Sequence, residues 1–155
     1  MMGSAPKPPV PSAGMAEEPP YRLTEQVGHL LRRAHQRASA IFQERIGDRN
    51  LTPTQFAVLA TLLENRPLSQ NQLGRETAMD PATIQGVVAR LRERGLVDRI
   101  PAPQDRRRFL IRLTDKGAAL VESAVADARR VTQETLAPLS REEQATFLAL
   151  LRKLG

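Results

Sequence analysis

Asp105-Arg106-Arg107-Arg108 sets three guanidinium groups behind one carboxylate, between two short runs that read as strands, Leu96-Val97-Asp98-Arg99-Ile100 and Phe109-Leu110-Ile111-Arg112-Leu113. A guanidinium is planar, forked and permanently charged, so a row of them on a narrow projection suits a phosphate backbone or a DNA minor groove, where negative potential is concentrated. Pro101, Pro103 and Gln104 separate the two runs, as the long tip of a β-hairpin would. Asp105 has two readings: a carboxylate that orients one neighbouring arginine, or a simple turn residue. Arg108 and Arg112 fall in, or at the start of, the returning strand, where they contact a nucleic-acid backbone or are merely solvated.

A second constellation lies upstream. Pro81, Ala82, Thr83, Gln85, Gly86, Ala89 and Arg90 share one face of a helix whose opposite face is Ile84, Val87, Val88 and Leu91. Small residues allow close approach, Thr83 and Gln85 can bond to base edges, and Arg90 reaches a guanine or a phosphate, which together suit a major groove. An ordinary amphipathic helix with a small, polar outer face is the competing reading.

These side chains need elements to position them, and the helix starts are well marked. Residues 22 to 46 place Val27, Leu30, Leu31, Ala34, Ala38, Ile41 and Phe42 at helical spacing on one long helix that Gly47 and Asp48 end. Thr52-Pro53-Thr54-Gln55 is an N-cap, a first-position proline and a reciprocal glutamine, predicting a helix to about Glu64 with Phe56, Leu59, Leu62 and Leu63 inward. Ser69-Gln70-Asn71-Gln72 is another capping box, and Asp80-Pro81 opens the next helix after a tight turn, with Met79 and Ile84 placed as a hydrophobic staple. Two helices so joined form a helix-turn-helix, the second ending near Arg94 with Gly95 as its C-cap. Ala118, Val121, Ala124, Val125, Ala128, Val131 and Leu136 then stripe a helix capped by Thr114, and Ser140-Arg141-Glu142-Glu143 caps a last one bearing Phe147, Leu148, Leu150, Leu151 and Leu154. That stripe suits either a subunit interface or an intramolecular core.

Charge and composition narrow the classes. The 155 residues carry a net +6, and between Arg90 and Arg112 eight arginines face only Glu93, Asp98 and Asp105, a local +5 that favours a polyanion as partner. Hydrophobic content of 41% supports one domain with a modest core. With no cysteine in the chain, disulfides, thiolate metal sites and thiol redox sensing are excluded. Six of the twelve prolines lie in residues 1 to 20, so that stretch reads as a disordered or polyproline-like tail. No membrane span or signal peptide is evident, and a cytoplasmic location is expected. The two histidines, His29 and His35, are six residues apart, about 240° further around a helix, and cannot chelate one metal ion without distant help. No nucleophile, base and orienter can be assembled, so neither an enzyme nor a cofactor is expected.

In order and motif the chain resembles the MarR family of bacterial transcription regulators, from about Tyr21 to Leu154. The resemblance rests on Leu51-Thr52-Pro53-Thr54-Gln55-Phe56, Gly95-Leu96-Val97, Asp105-Arg106-Arg107 and Leu113-Thr114-Asp115-Lys116-Gly117. It implies a mainly α fold with a small β-hairpin wing: a winged helix-turn-helix lobe over 51–113 within a single 21–155 domain, and dimerisation helices over 21–47 and 114–155. It further implies a homodimer whose recognition helices, at 81 to 94, enter successive major grooves of a palindromic operator in double-stranded DNA. Ser69, Gln70 and Asn71 would lie at the DNA face, with Arg106 and Arg107 in the minor groove.

The resemblance also implies an aromatic carboxylate held between the dimerisation helices and the DNA-binding lobe, in a space lined by the first helix. Arg32, Arg33, His35, Gln36, Arg37 and Ser39 supply cationic and polar groups there, with Phe42 or Phe56 for the ring to pack on. For His35 the plainer reading is a partly buried, hydrogen-bonded histidine. The run Leu31-Arg32-Arg33-Ala34-His35-Gln36-Arg37 resembles members that control aromatic-acid or nicotinate breakdown. A repressor released by ligand is the reading this supports. Two alternatives remain open: an architectural protein that binds DNA without sequence preference, and a winged helix that contacts only protein.

Overall fold

The computed structural model describes residues 19–155, so most of the proline-rich stretch read as a tail lies outside the described residues. Six α-helices and one antiparallel hairpin follow in the order α1 Val27–Ile46, α2 Pro53–Asn65, α3 Gln70–Glu76, α4 Pro81–Glu93, β1 Val97–Ala102, β2 Asp105–Leu113, α5 Asp115–Leu136 and α6 Arg141–Leu154. The fold is mainly α with a small hairpin wing.

Local capping chemistry sets most boundaries. Thr52, Ser69 and Ser140 each close a reciprocal capping box with the residue three positions on, and Asp80 and Thr114 cap α4 and α5 through a side-chain oxygen. The start of α1 differs from the expected 22. Gln26 is extended, with its side-chain amide turned back on the Arg22 carbonyl at 2.9 Å, so Leu23–Glu25 forms a separate 3-10 turn and α1 begins at Val27. At the other end Gly47–Arg49 adds a short 3-10 turn that closes on Asn50 in the left-handed region, φ 53°.

The core gathers where α2, α4, α5 and the hairpin meet, around Leu59, Leu73, Ile84, Leu91, Ile111 and Val121, all fully or almost fully buried. On α2 the inward face is rotated from the expected one: Val58, Leu59 and Leu62 are buried, while Phe56 and Leu63 are half-buried. The cause is that α2 packs against α3, α4, α5 and β2 at once, so one narrow stripe does not describe its buried surface. The α5 stripe is largely used inside the chain, with Val121 and Ala124 in the core and α5 lying along α1. Salt bridges from Arg45 to Glu134 and from Arg49 to Asp127, the latter at 2.7 Å, tie that helix pair together. By contrast, α6 buries no residue, and Val27, Leu30 and Leu154 leave apolar surface open.

The wing departs from a plain hairpin. Pairing runs from Val97↔Leu113 to Pro101↔Phe109, then jumps to Ala102↔Asp105, leaving residues 106 to 108 bulged without a cross-strand partner. Pro101 has no N–H to give the ladder, and prolines in sheets are confined to edges and bulges for that reason. The tip is therefore only Pro103-Gln104, and the arginines expected in a long turn stand in the bulged start of β2. A third short element, not anticipated, braces the base: Leu68 and Ile111 exchange backbone hydrogen bonds at 3.1 and 2.7 Å.

No helix among the described residues is long and apolar enough to cross a membrane. Two glycines should respond oppositely to alanine. A Cβ at Gly117 would sit 1.9 Å from the Leu96 carbonyl oxygen, whereas one at Gly86, inside α4, meets nothing within 4 Å. Gly117→Ala is expected to lower stability by about 1–3 kcal/mol through forced backbone movement. Gly86→Ala should raise it by about 0.5–1 kcal/mol by restricting the unfolded chain. Urea unfolding midpoints of the two variants check both signs.

Candidate nucleic-acid interface

The helix-turn-helix is held from within. In the turn, Thr77 donates its hydroxyl to the Leu73 carbonyl at 2.6 Å and Met79 N–H bonds to the Gly74 carbonyl at 2.8 Å, which carries Ala78 into the left-handed region at φ 53°. Ile84, Val87, Val88 and Leu91 then fix α4 by its buried face. The opposite face presents Pro81, Ala82, Thr83, Gln85, Ala89 and Arg90 as exposed residues, with Gly86 half-exposed. This is a shallow polar surface beside which an edge of stacked bases can approach.

At the start of α4, Asp80 Oδ1 accepts the Thr83 N–H at 2.9 Å and Oδ2 accepts the Thr83 hydroxyl at 2.6 Å. The Thr83 hydroxyl, and then its backbone N–H, hold the Asp80 carboxyl below the usual carboxylate range. A depressed folded value means that this cap stabilises the fold above the ordinary carboxylate pKa, and that the contribution is lost as pH falls through the depressed one. At the start of α3, the Ser69 hydroxyl is engaged in its own cap: it donates to Gln72 Oε1 at 2.9 Å and accepts the Gln72 N–H at 3.3 Å. Asn71, by contrast, is exposed, and Gln70 is half-exposed.

The eight clustered arginines divide sharply. Arg94 turns inward, donating to the Asn50 carbonyl at 2.6 Å, to Gln55 Oε1 at 3.3 Å and to the Arg49 carbonyl at 3.4 Å. Arg99 lies over the Phe109 ring, 5.9 Å from its centroid, and Arg112 faces its cross-strand partner Asp98 at 3.8 Å. Arg90, Arg92, Arg106, Arg107 and Arg108 are exposed and form no ion pair among the described residues. Asp105 does not lock an arginine side chain: its Oδ1 accepts the backbone N–H of Arg107 at 3.0 Å, a turn bond that shapes the bulge. A polar cleft between Ser69–Gln72 of α3 and Arg108–Leu110 of β2 joins the two halves of this face.

The residues expected around a small ligand are brought together only in part. Arg32, His35, Ser39 and Phe42 recur along one face of α1. His35 and Ser39 are 3.4 Å apart, and Phe42 meets Phe56 edge-on with centroids separated by 5.9 Å. Phe42 is buried and Phe56 half-buried, while Arg32, Arg33 and His35 are exposed, so His35 is not the partly buried histidine of the plainer reading. Arg37 is committed elsewhere, to the Glu134 and Thr135 carbonyls near the end of α5 at 2.8 and 3.1 Å, where a cation meets the negative end of a helix. Sequence reasoning missed this role and that of Gln55, which is buried and receives Arg94. The only local signal for Gln55 was its position in the capping box.

Residues 49–108 match the family model described as MarR family. Over 144 residues the chain is 44% identical to the HTH-type transcriptional repressor NicR of Pseudomonas putida, covering 93% of this chain and 91% of the relative. The structure of Bordetella bronchiseptica BpsR, whose DNA binding is regulated by 6-hydroxynicotinic acid, superposes with a TM-score of 0.84 at 46% identity, covering 88% of this chain and 97% of that one. Streptomyces coelicolor PcaV in complex with its natural ligand gives 0.80 at 36% identity, covering 88% and 96%.

The sorting of arginines can be tested directly. Arg94→Met should cost about 1–3 kcal/mol of stability, because it removes charged hydrogen bonds to internal carbonyls. Arg106→Ala and Arg107→Ala should each stay within about 0.5 kcal/mol of the parent. The same wing variants should weaken DNA binding across all sequences and flatten its salt slope by about 0.9 for each phosphate left without its arginine. Chemical unfolding and a salt titration of DNA affinity read the two effects separately.

Proposed function

The chain belongs to the MarR family of transcriptional regulators, and from that premise we propose that it is a homodimeric repressor that a small aromatic carboxylate releases from a palindromic operator. Membership makes it a DNA-binding regulator and not an enzyme. The single observation that carries the repressor reading is the α4 face, small and polar outward, beside exposed arginines in a bulged wing. In this reading 51–113 is the DNA-binding lobe, and 21–47 with 114–155 form the dimerisation helices of one domain.

Support for the dimer comes from an apolar groove of about 290 Å³ between α1 and α6, lined by Val27, Leu30, Leu31, Phe147, Leu150 and Leu154 among others. A terminal helix with no fully buried residue in its own chain gains stability by covering such a groove with its twofold copy. Twofold symmetry of the protein then calls for a palindromic operator with half-sites one helical turn apart.

The relative regulated by 6-hydroxynicotinic acid supports an aromatic acid as effector. On this chain its carboxylate would pair with Arg32, Arg33 or His35, and its ring would rest near Phe42 and Phe56. Ligand acts by favouring a lobe spacing that does not fit DNA, and each tenfold preference contributes about 1.4 kcal/mol to the coupling. A path for that coupling runs through the α1–α2 connection. There Arg49 bonds to Asp127 and the Ser123 carbonyl of α5, while the Asn50 carbonyl receives Arg94 from the end of α4.

Binding of the purified protein to the intergenic DNA upstream of its own gene, at fixed salt and with a panel of aromatic acids that includes 6-hydroxynicotinic acid, tests this function. Sequence-specific binding relieved by one compound is expected, and His35→Ala should weaken the relief without abolishing DNA binding. Salt-sensitive binding indifferent to sequence and compound would overturn the repressor reading in favour of an architectural one.

A further inference from the structure

We propose that Thr83 reads DNA as a hydrogen-bond acceptor only, and therefore selects a base with an amino group on its major-groove edge, adenine or cytosine, on the strand it faces. The inference rests on the regulator reading above and adds a base class that this reading does not specify.

Thr83 is exposed on the third residue of α4, in the first turn, the part of a recognition helix that approaches base edges. A threonine hydroxyl has one hydrogen and two lone pairs. Here that hydrogen is committed to Asp80 Oδ2 at 2.6 Å, the short distance of a charge-assisted bond, while Oδ1 accepts the Thr83 N–H at 2.9 Å. The same two bonds keep the Asp80 carboxyl ionised below the usual carboxylate range, so it accepts throughout the neutral range.

What Thr83 Oγ1 still offers outward is lone pairs. In the major groove adenine N6 and cytosine N4 are donors, whereas guanine N7 and O6 and thymine O4 are acceptors. An amino group meets the free lone pair without disturbing the cap. A keto base would set lone pair against lone pair, or draw the hydroxyl proton away from Asp80 and break a charged bond. Gln85 is not constrained in this way, since its amide carries both a donor and an acceptor and can turn either one to a base. The Thr83 polarity is thus imposed by the helix cap itself.

Two substitutions separate polarity from shape. Thr83→Val keeps the branched outline and removes the acceptor. Asp80→Asn keeps an equally good N-cap. With its Oδ1 on the Thr83 N–H, the new amide nitrogen lies beside Oγ1, which must then accept and can turn its own hydrogen outward. Duplexes randomised over about two helical turns can be selected with the full chain in each form, and the enriched motifs compared.

The expected result is one position per half-site where the parent prefers adenine or cytosine by about tenfold, a preference that Thr83→Val flattens and Asp80→Asn relaxes, so that guanine or thymine is accepted there as well. A parent preference for guanine or thymine at the Thr83-sensitive position would overturn the proposal, as would a motif that Thr83→Val leaves unchanged. Asp80→Asn retaining the parent preference, with its helical circular dichroism intact, would do the same. Thr83→Val decides alone if Asp80→Asn does not fold. If the parent enriches no motif at all, the sequence-specific regulator reading falls, and this inference with it. A motif insensitive to Thr83 removes the inference only.

Discussion

The placement of α4 and the wing hangs from one short junction, Arg94-Gly95-Leu96, and from the grip that the start of α5 has on it. Gly95 turns the chain out of α4 in the left-handed region at φ 68°, and Leu96 N–H closes on the Leu91 carbonyl at 2.9 Å. Three groups from the start of α5 then take the three carbonyls in order. Lys116 Nζ bonds to Arg94 O at 2.9 Å, the Thr114 hydroxyl to Gly95 O at 2.7 Å, and the Thr114 N–H to Leu96 O at 3.1 Å. Gly117 is what lets α5 come this close, because any side chain there would collide with the Leu96 carbonyl. Helix α4, the wing and α5 are therefore set relative to one another by a single cluster of hydrogen bonds to three consecutive backbone carbonyls.

That junction explains why net charge is a poor guide to where uncommitted cationic side chains lie. Helix α4 ends in cationic residues, as the negative end of a helix favours, and Arg94 at the C-cap is swung into the body of the protein by the same turn. Asp98 takes up Arg112, and Phe109 takes up Arg99. The exposed guanidinium groups without an ion pair or ring contact among the described residues of this segment are Arg90, Arg92 and Arg106–Arg108 in the bulge. There the missing N–H of Pro101 interrupts the ladder and lets side chains project instead of pairing. A small arginine set on a defined ridge can impose register on a duplex in a way that a uniformly basic face cannot.

What could be read from the residues alone follows the range of the forces concerned. Capping boxes at Thr52, Ser69 and Ser140 involve partners three residues apart, so the helices they open were legible, as was the tight turn before Asp80. The bulge was not, because pairing register depends on where β1 and β2 meet, and the proline that disrupts it belongs to the opposite strand from the arginines. Arg94, Arg37 and Gln55 escaped for a related reason: their partners lie 39 to 98 positions away or across a helix packing. The α5 stripe was legible as apolar but not as to what covers it. A periodic pattern records that a face is buried and carries no label for the partner, and here α1 of the same chain takes much of it.

The same distribution of packing limits where the molecule can change shape. The α4–α5 junction combines three bonds to consecutive carbonyls with a close glycine approach, and beneath it lie Leu91, Leu96 and Val97, nearly inaccessible to solvent. Such a region resists small deformations, since packed interiors switch between discrete arrangements and do not bend continuously. The opposite end is built differently. The first half of α1 is exposed apart from half-buried His29, with Val27 65% accessible, and α6 ends at Leu154 with 72% accessible. Little apolar packing within the chain holds those segments, which places them at the low-stability end of the structure. Within the chain, α4, the wing and the start of α5 are therefore held as one unit, while the ends of α1 and α6 are the segments that internal packing constrains least.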